Sequence, residues 1–299
     1  MKKNIRVSLV SNVNLLGDPL HNLAKMEKTI IETQILGIPT DIFIFSEIGI
    51  SGGFYPGGLQ ANSDNYKKNA EQIPDGPSCR EIARMAKENQ TIICAGIIEK
   101  SGSNFSISHV VFGPNGFMQK QRKIFPQNPH KCKFFTPGKL INTFDLLGHK
   151  CAILACADWL EAETTVIAGL EEVAIILAPT GGFDTEMFPT LRNLMWAKAL
   201  QTNSYILASF THNNSDKSEI AGALAFAPDG KELIYATRLV GVEMIHSLEV
   251  YPQKPNKRWG GFESRVDFLN NSLNSYFSRQ DGTLRNEYIE QDNKQFRIG

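Results

Sequence analysis

The sequence predicts an α/β fold in which helices cover layered sheets. Short apolar runs of strand length alternate along the chain with amphipathic stretches of helix length, and tight turns at Gly116 and Gly230 each mark a hairpin. Hydrophobic residues make up 42% of the 299 residues, which is enough for one large core. Strands that alternate with helices are typical of α/β sheets rather than of all-α or all-β folds.

The first part of the chain predicts two strands joined by a helix. Residues 6–10 alternate polar and apolar side chains as in a strand, and residues 41–45 form a compact apolar run. Between them, Asp18 is placed to cap a helix that ends at Gly37. The second strand leads into Glu47, so a carboxylate follows directly on a buried strand.

The middle of the chain predicts one helix and a series of strands that leads to a cysteine. Ser78 and Glu81 have the spacing of a capping box, which predicts a helix to about residue 89. The apolar run before Cys156 is long enough for a buried strand, so this cysteine lies where a strand leaves its sheet and turns. Further strands are predicted at residues 91–95, 108–112 and 117–120.

The later part of the chain repeats the alternation and then changes character. Helices are predicted at 161–170 and 187–202, and strands at 173–177, 205–209, 223–227 and 232–235. From about Pro252 the composition turns polar. We therefore predict a domain over residues 1–250 and an extension over 251–299 that packs on the domain or on a partner subunit.

Composition and charge exclude several classes of function. Lys plus Arg and Asp plus Glu number 31 each, and no basic stripe carries interleaved aromatics, so nucleic acid is not expected as a partner. No apolar run is long enough for a membrane span, and the N-terminus is too polar for a signal peptide, which predicts a cytoplasmic protein. Five cysteines without paired spacing predict neither a disulfide framework nor a zinc site.

Three ionisable residues of different kinds occupy comparable places in this pattern. Glu47, Lys123 and Cys156 each follow an apolar strand or a hairpin. A thiol is mostly protonated at neutral pH, so acyl transfer to it requires a base to remove its proton and a cation to stabilise the oxyanion. The three residues together therefore suit thiol-mediated acyl transfer, although Lys123 read alone also suits a solvated hairpin and Glu47 a loop carboxylate.

The surroundings of these residues resemble the carbon–nitrogen hydrolase (nitrilase) superfamily. Phe45-Ser-Glu47 resembles the family's Phe-Pro-Glu, and Gln121-Arg-Lys123-Ile-Phe resembles its Tyr-Arg-Lys-Ile-His. Cys156-Ala-Asp-Trp-Leu-Glu-Ala-Glu163 is similar to Cys-Tyr-Asp-Ile-Arg-Phe-Pro-Glu. The similarity covers roughly residues 4–250, and the joint order and spacing of the motifs are specific where any one of them is weak.

The resemblance implies an α-β-β-α sandwich that pairs into a homodimer or a higher homo-oligomer, and a reaction without cofactor or metal. It assigns Glu47 as the base, Cys156 as the nucleophile, and Lys123 with the backbone N–H of Ala157 as the oxyanion site. The substrate implied is a small linear amide or carbamoyl compound. Residues expected to line its pocket are Phe54, Tyr55, Lys131, Trp159, Thr180 and Phe183.

One departure from the family pattern bears on the substrate. Members usually carry a second glutamate shortly before the Phe-x-Pro-Gly turn, and that position is Lys131 in this chain. No Asp or Glu lies between Lys123 and Asp145, so shifting the alignment does not recover the missing acid. Two readings follow: Lys131 points to solvent, or it binds the carboxylate of an acidic substrate.

Other functions fit the same residues. A second amine or alcohol in place of water makes the same thioester an acyl-transfer intermediate, and a nitrile is an alternative substrate. A non-catalytic binding protein that keeps the pocket without the second glutamate is a further alternative. Retention of all three chemical groups favours an enzyme.

Overall fold

The computed structural model describes the part of the chain that carries the sheets. The residues described are 2–53, 62–126, 134–181, 185–210, 212–213, 221–238, 243–253 and 266–272. The chain divides into two compact units, Met1–Pro255 and Asn256–Gly299. The described part of the second unit is a helix over residues 266–272.

The first of two six-stranded sheets is built mainly from the N-terminal half. Its strand order is β14-β1-β3-β4-β5-β6, with β1, β3 and β4 parallel and the other neighbours antiparallel. Its strands are β1 (Ile5–Ser11), β3 (Ile42–Ile44), β4 (Ile92–Ser101), β5 (Asn104–Gly113), β6 (Gly116–Arg122) and β14 (Met244–Val250). Because β3 and β6 run in the same direction, the residues that follow them lie at the same edge of the sheet.

The second sheet has the order β13-β12-β10-β9-β8-β7, with β8, β9 and β10 parallel. Its strands are β7 (Thr143–Leu146), β8 (His149–Ile153), β9 (Ile175–Leu177), β10 (Tyr205–Phe210), β12 (Ala221–Phe226) and β13 (Glu232–Arg238). A short pair, β2 (Val13–Asn14) and β11 (His212–Asn213), lies outside both sheets. The predicted hairpins at Gly116 and Gly230 are confirmed as β5–β6 and β12–β13.

Helices cover the outer face of each sheet, and apolar side chains fill the space between each sheet and its helices. A further apolar core lies between the two sheets. The helices are α1 (Pro19–Ile35), α2 (Ser63–Lys68), α3 (Pro77–Glu88), α4 (Ala157–Leu160), α5 (Ala162–Leu170) and α6 (Phe188–Thr202), with a 3₁₀ turn at Thr185–Met187. Met26 of α1 and Ile82 of α3 pack against Phe43 of the first sheet. Ala168 of α5 and Met195 of α6 pack against the second sheet. The predicted α-β-β-α architecture is therefore confirmed.

Local signals explain where most elements begin and end. Asp18 caps α1 as predicted, because its carboxylate accepts the N–H of His21 at 3.0 Å. Gly37, which follows α1, has a positive φ of 69° that suits glycine. The predicted capping box at Ser78 is wrong, since Gly76 is the N-cap of α3 and Ser78 lies inside the first turn. Glu71 instead accepts the N–H of Ser78, at 2.8 Å.

Candidate functional site

Glu47 is placed by a turn that follows β3. The N–H of Phe45 continues the pairing of β3 by donating to the carbonyl of Cys94 at 2.9 Å, and Ile48 then adopts a positive φ of 51°. The chain turns directly over Gly96, where a Cβ would lie 2.4 Å from the Ile48 nitrogen. Gly96 therefore makes room for the turn, and the Glu47 side chain is fully buried.

Lys123 directly follows β6 and reaches Glu47. Its N–H donates to the carbonyl of Ile107 and its carbonyl accepts the N–H of Gly138, both at 2.8 Å. Its ammonium donates to Oε1 of Glu47 at 2.5 Å, and both side chains are buried. The backbone on both sides of the Lys123 side chain is therefore tied to neighbouring segments, which fixes where its ammonium group can reach.

Cys156 follows β8 in an unusual backbone conformation. Its φ of 49° and ψ of −114° lie outside the regions that side chains prefer, which costs on the order of 1–3 kcal/mol. Its own N–H is fixed by the carbonyl of Pro179 at 3.0 Å, and the residue keeps some exposure to solvent. Such a strained turn presents the thiol at the end of the strand, where a substrate can reach it.

The N–H of Ala157 lies at the first position of α4, immediately after the thiol. The N–H groups of Asp158 and Trp159 donate to the carbonyls of Ala155 and Cys156, at 2.9 and 3.1 Å. Within the described ranges the Ala157 N–H has no acceptor. It is therefore available to a ligand oxygen beside the sulfur.

Burial, more than charge, keeps the resting thiol of Cys156 protonated. Burial, and next the negative charge of Glu47, raise the pKa of Cys156 to about 12, although Lys123 and the backbone N–H of Gly181 oppose the change. Burial alone lowers the pKa of Lys123, but Cys156, Glu47 and Asp158 raise it on balance, so this lysine stays charged. The cysteine therefore needs a base at the moment of attack.

Asp158 lies two residues after Cys156 and binds the backbone that follows Lys123. Its buried carboxylate accepts the N–H of Ile124 at 3.0 Å and that of Phe125 at 2.8 Å, the two residues that follow Lys123. Burial raises its pKa to about 6, against the opposing effect of Lys123 and these hydrogen bonds. The sequence showed Asp158 only as a matching motif position, and its contacts 33 and 34 residues away gave no local signal.

The remaining predicted pocket residues fall into two groups. Trp159 and Thr180 are completely buried, and the indole N–H of Trp159 donates to the hydroxyl of Thr180 at 3.1 Å. Trp159 packs between the second sheet and its helices, where it supports the β9 end; its place in a pocket stays a prediction. The other four residues lie outside the described residues: Phe54, Tyr55, Lys131 and Phe183.

Three further features of the described residues complete the description of possible binding sites. They include no cluster of three or more His, Cys, Asp or Glu side chains that could hold a metal ion. None of their helices combines the length and the apolar character that crossing a bilayer requires. A cavity of about 540 Å³ beside Thr143, Asp145 and Lys150 is lined by none of the three predicted catalytic residues.

Comparisons with known proteins find the same family by a family model and by individual relatives. A family model described as Carbon-nitrogen hydrolase matches residues 7–238. The protein named Nitrilase from Pyrococcus abyssi is 28% identical over 206 residues, which cover 69% of this chain and 74% of that protein. Nitrilase 3 from Arabidopsis thaliana is 30% identical over 142 residues, or 43% of this chain and 40% of that protein.

Solved structures share the fold. A mutant of the amidase from Nesterenkonia sp. AN1, with acrylamide added at its active-site cysteine, matches with a TM-score of 0.69 at 15% identity, over 90% of this chain and 99% of that one. Another mutant of that amidase, in complex with butyramide, matches with a TM-score of 0.68 at 16% identity, over 90% and 96%. At these identities the likeness concerns the fold alone.

Proposed function

This chain belongs to the carbon–nitrogen hydrolase family, and from that premise we propose that it hydrolyses a small linear amide or carbamoyl compound through a thioester on Cys156. The observation that carries the proposal is the buried Glu47–Lys123 ion pair, which interacts electrostatically with a partly exposed cysteine in a strained turn. A base, a cation and a reachable thiol are what acyl transfer to sulfur requires.

In the first half of the reaction, Glu47 takes the thiol proton as the sulfur attacks the carbonyl carbon. The protonated resting thiol makes this transfer part of the attack, because no stable thiolate precedes it. The negative charge moves to the substrate oxygen, where Lys123 and the Ala157 N–H stabilise it. Glu47 then returns the proton to the leaving nitrogen, the carbon–nitrogen bond breaks, and ammonia or an amine departs.

In the second half, water replaces the amine. Glu47 takes a proton from this water, whose oxygen attacks the thioester carbon, and the same oxyanion site accepts the charge. The carbon–sulfur bond breaks, the sulfur recovers the proton from Glu47, and the carboxylic acid leaves. Each group ends the cycle as it began, so no cofactor enters the balance.

Nitrile hydrolysis is a second candidate, because relatives found by sequence are named nitrilases. Attack on a nitrile carbon gives a thioimidate, which needs two waters to reach the acid and ammonia. The same three residues serve both reactions. The choice between them therefore rests on which substrate forms an adduct.

The test is intact-protein mass spectrometry with ammonia detection, using matched amides and nitriles of the same carbon chain. We expect wild-type protein to gain the mass of one acyl group on Cys156 and to release ammonia from the amides, while Cys156→Ala does neither. Iodoacetamide should also alkylate Cys156 before Cys79, Cys94 and Cys151, whose thiols are completely buried.

Two results would contradict this proposal. Turnover that survives in Cys156→Ala would remove the thioester, and adducts formed only from nitriles would replace amide hydrolysis by the second candidate. Adding hydroxylamine to the reaction separates hydrolysis from acyl transfer, because an acyltransferase would partition its thioester to the added amine.

A further inference from the structure

His109 on β5 is a buried polar side chain that the proposed mechanism does not use. It is completely buried, and neither ring nitrogen has a hydrogen-bond partner within the described ranges. Buried imidazoles in folded proteins ordinarily satisfy both nitrogens, since an unsatisfied buried polar atom is destabilising. The groups that lie next to the ring therefore decide which hydrogen-bond partner it can have.

The strand register places His109 beside the turn that carries Glu47. His109 is paired with Gly96 of β4, and directly paired residues present their side chains on the same face of a sheet. On that face of Gly96 the turn crosses the sheet, because a Cβ there would lie 3.0 Å from the Glu47 carbonyl carbon. The imidazole is thus a neighbour of the catalytic turn.

The other strand partner of His109 is fully engaged elsewhere. Gln121 of β6 donates through its amide nitrogen to the carbonyls of Arg122 and Leu140, at 2.7 and 2.9 Å. Its amide oxygen accepts the N–H of Asn142 at 2.8 Å. Gln121 therefore leaves the ring of His109 to other partners.

Glu47 also has a buried polar atom without a hydrogen-bond partner among the described residues. Oε1 is bound to Lys123, whereas Oε2 is buried and has no hydrogen-bond partner among the described residues. Glu47 and His109 are thus two buried residues next to Gly96, the first through its backbone and the second through the strand register, and each has a polar side-chain atom without a partner among the described residues. Such a pair is an ordinary setting for a structural water. A water between them would donate one hydrogen to Oε2 and hydrogen-bond the ring.

The charge state of His109 fits this arrangement. Burial, and next the charge of Lys123, lower the pKa of His109 to about 3, so the ring is neutral at ordinary pH. A neutral ring offers one N–H donor and one acceptor, and adds no second cation beside Lys123.

We propose that His109 is a positioning residue that holds a water molecule against Oε2 of Glu47. The water fixes the rotation of the carboxylate, so that Oε1 stays on Lys123 while Oε2 stays available for the proton of the thiol. This inference deepens the proposed hydrolysis and rests on it for its catalytic consequence, whereas the water contact itself does not depend on any substrate.

The activity test compares His109→Gln with His109→Met, two side chains of similar length of which only glutamine forms hydrogen bonds. We expect His109→Met to lower kcat about tenfold or more with KM changed less than about twofold, the loss of one hydrogen bond that acts on the catalytic base. His109→Gln should keep kcat within about threefold of wild type. Equal kcat in the two variants, or a loss carried by KM, would assign His109 to packing and overturn the proposal.

A second measurement on the unmodified protein needs neither variant nor substrate. A high-resolution crystal structure of the wild-type chain should show a water within hydrogen-bond distance of both the His109 ring and Oε2 of Glu47. A direct protein contact or an apolar wall in that place overturns the proposal. Since this result is independent of turnover, a chain that hydrolyses no amide but shows the water would fail the proposed function alone.

Discussion

Two buried glutamates on the first sheet differ in how many hydrogen bonds they accept. Glu99 of β4 accepts from Ser108, Lys120 and Arg122, the arginine binding both of its oxygens, at distances of 2.7–2.8 Å. Glu47 accepts from Lys123 at Oε1 and keeps Oε2 without a partner among the described residues. Both acids are therefore buried and bound to a cation, but only Glu99 accepts hydrogen bonds at both of its oxygens from the described residues.

The difference leaves Glu47, unlike Glu99, with a carboxylate oxygen that accepts no hydrogen bond from the described residues, as the proposed role of general base requires. Burial by itself raises the pKa of Glu99, but hydrogen bonds from Arg122, Lys120 and Ser108 lower it to about 2. A carboxylate with four such donors has little affinity for a further proton and holds three strands together instead. The oxygen of Glu47 that has no partner among the described residues is where the proposed mechanism places the proton that a general base accepts.

The largest effect on activity, and the strongest test of this comparison, is expected from Glu47→Gln. An amide fills the same volume and still accepts from Lys123, but it takes no proton, so we expect kcat to fall roughly 10²- to 10⁴-fold. Because Lys123 loses a charged partner, the free energy of unfolding should fall by about 1–3 kcal/mol without loss of the fold. Steady-state kinetics with circular dichroism check both, and a folded variant with wild-type kcat would exclude Glu47 as the base.

Much of this site followed from local patterns in the sequence. Glu47 and Cys156 each follow an apolar run and Lys123 follows a hairpin, and both signals can be read from a few neighbouring residues. Strands β1 and β3 and helix α1 were predicted on the same grounds. Residues that act where a strand ends are thus accessible to sequence reasoning.

Other features depend on contacts between distant segments and were missed. Strand β14 pairs with β1 across more than 230 residues, and it was not predicted. Ser78 was misread because the carboxylate of Glu71, which lies before the helix, accepts the Ser78 N–H and supplies the contact expected of a capping residue. The sequence did not single out His109, because its neighbours are determined by the pairing of β5 with β4, which places it opposite Gly96. Such contacts are properties of the packed sheet, not of any short segment.

Asp158 is a third buried acid that sharpens the comparison, since it accepts two backbone N–H groups and shares Lys123 with Glu47. In Asp158→Asn the remaining oxygen can still accept from both N–H groups, but the negative charge near Lys123 is lost and an N–H₂ group faces the N–H of Ile124, so the anchor after Lys123 is weakened. We expect kcat/KM to fall about 10- to 100-fold, as for one or two hydrogen bonds to a charged group. A variant with wild-type kcat/KM would show that Asp158 does not position Lys123.

The pH dependence of Asp158 gives a second measurement. Its folded pKa of about 6 lies above its usual value, so ionisation inside the protein costs stability above pH 6 and costs nothing below about pH 4. Asparagine does not ionise, and its own cost is the same at every pH. Thermal unfolding should therefore find the variant closer to wild type at pH 7 than at pH 4, and a gap that widens with pH would contradict the raised pKa.

The smallest effect on activity is expected from Glu99→Gln, the matched control for Glu47→Gln. Among the described residues Glu99 forms hydrogen bonds with Ser108, Lys120 and Arg122 and with neither Cys156 nor Glu47, so kcat should stay within about twofold of wild type. Stability should fall instead, by up to about 3 kcal/mol at pH 7, which is the free-energy equivalent of the lowered pKa. A loss of kcat comparable with that of Glu47→Gln would remove the distinction between the two acids.

The same variant tests the cause of that stability through its pH dependence. Since the pKa of Glu99 is lowered to about 2 in the folded protein, its stabilisation is complete above its usual pKa and is lost as the pH falls towards 2. The stability difference between wild type and Glu99→Gln should therefore shrink between about pH 5 and pH 2. Asp41, whose pKa is also lowered to about 2, is present in both proteins and cancels from the difference. A difference that stays constant over this range would show that glutamine is tolerated or rejected for its shape, and that the charge of Glu99 does not hold its three strands together.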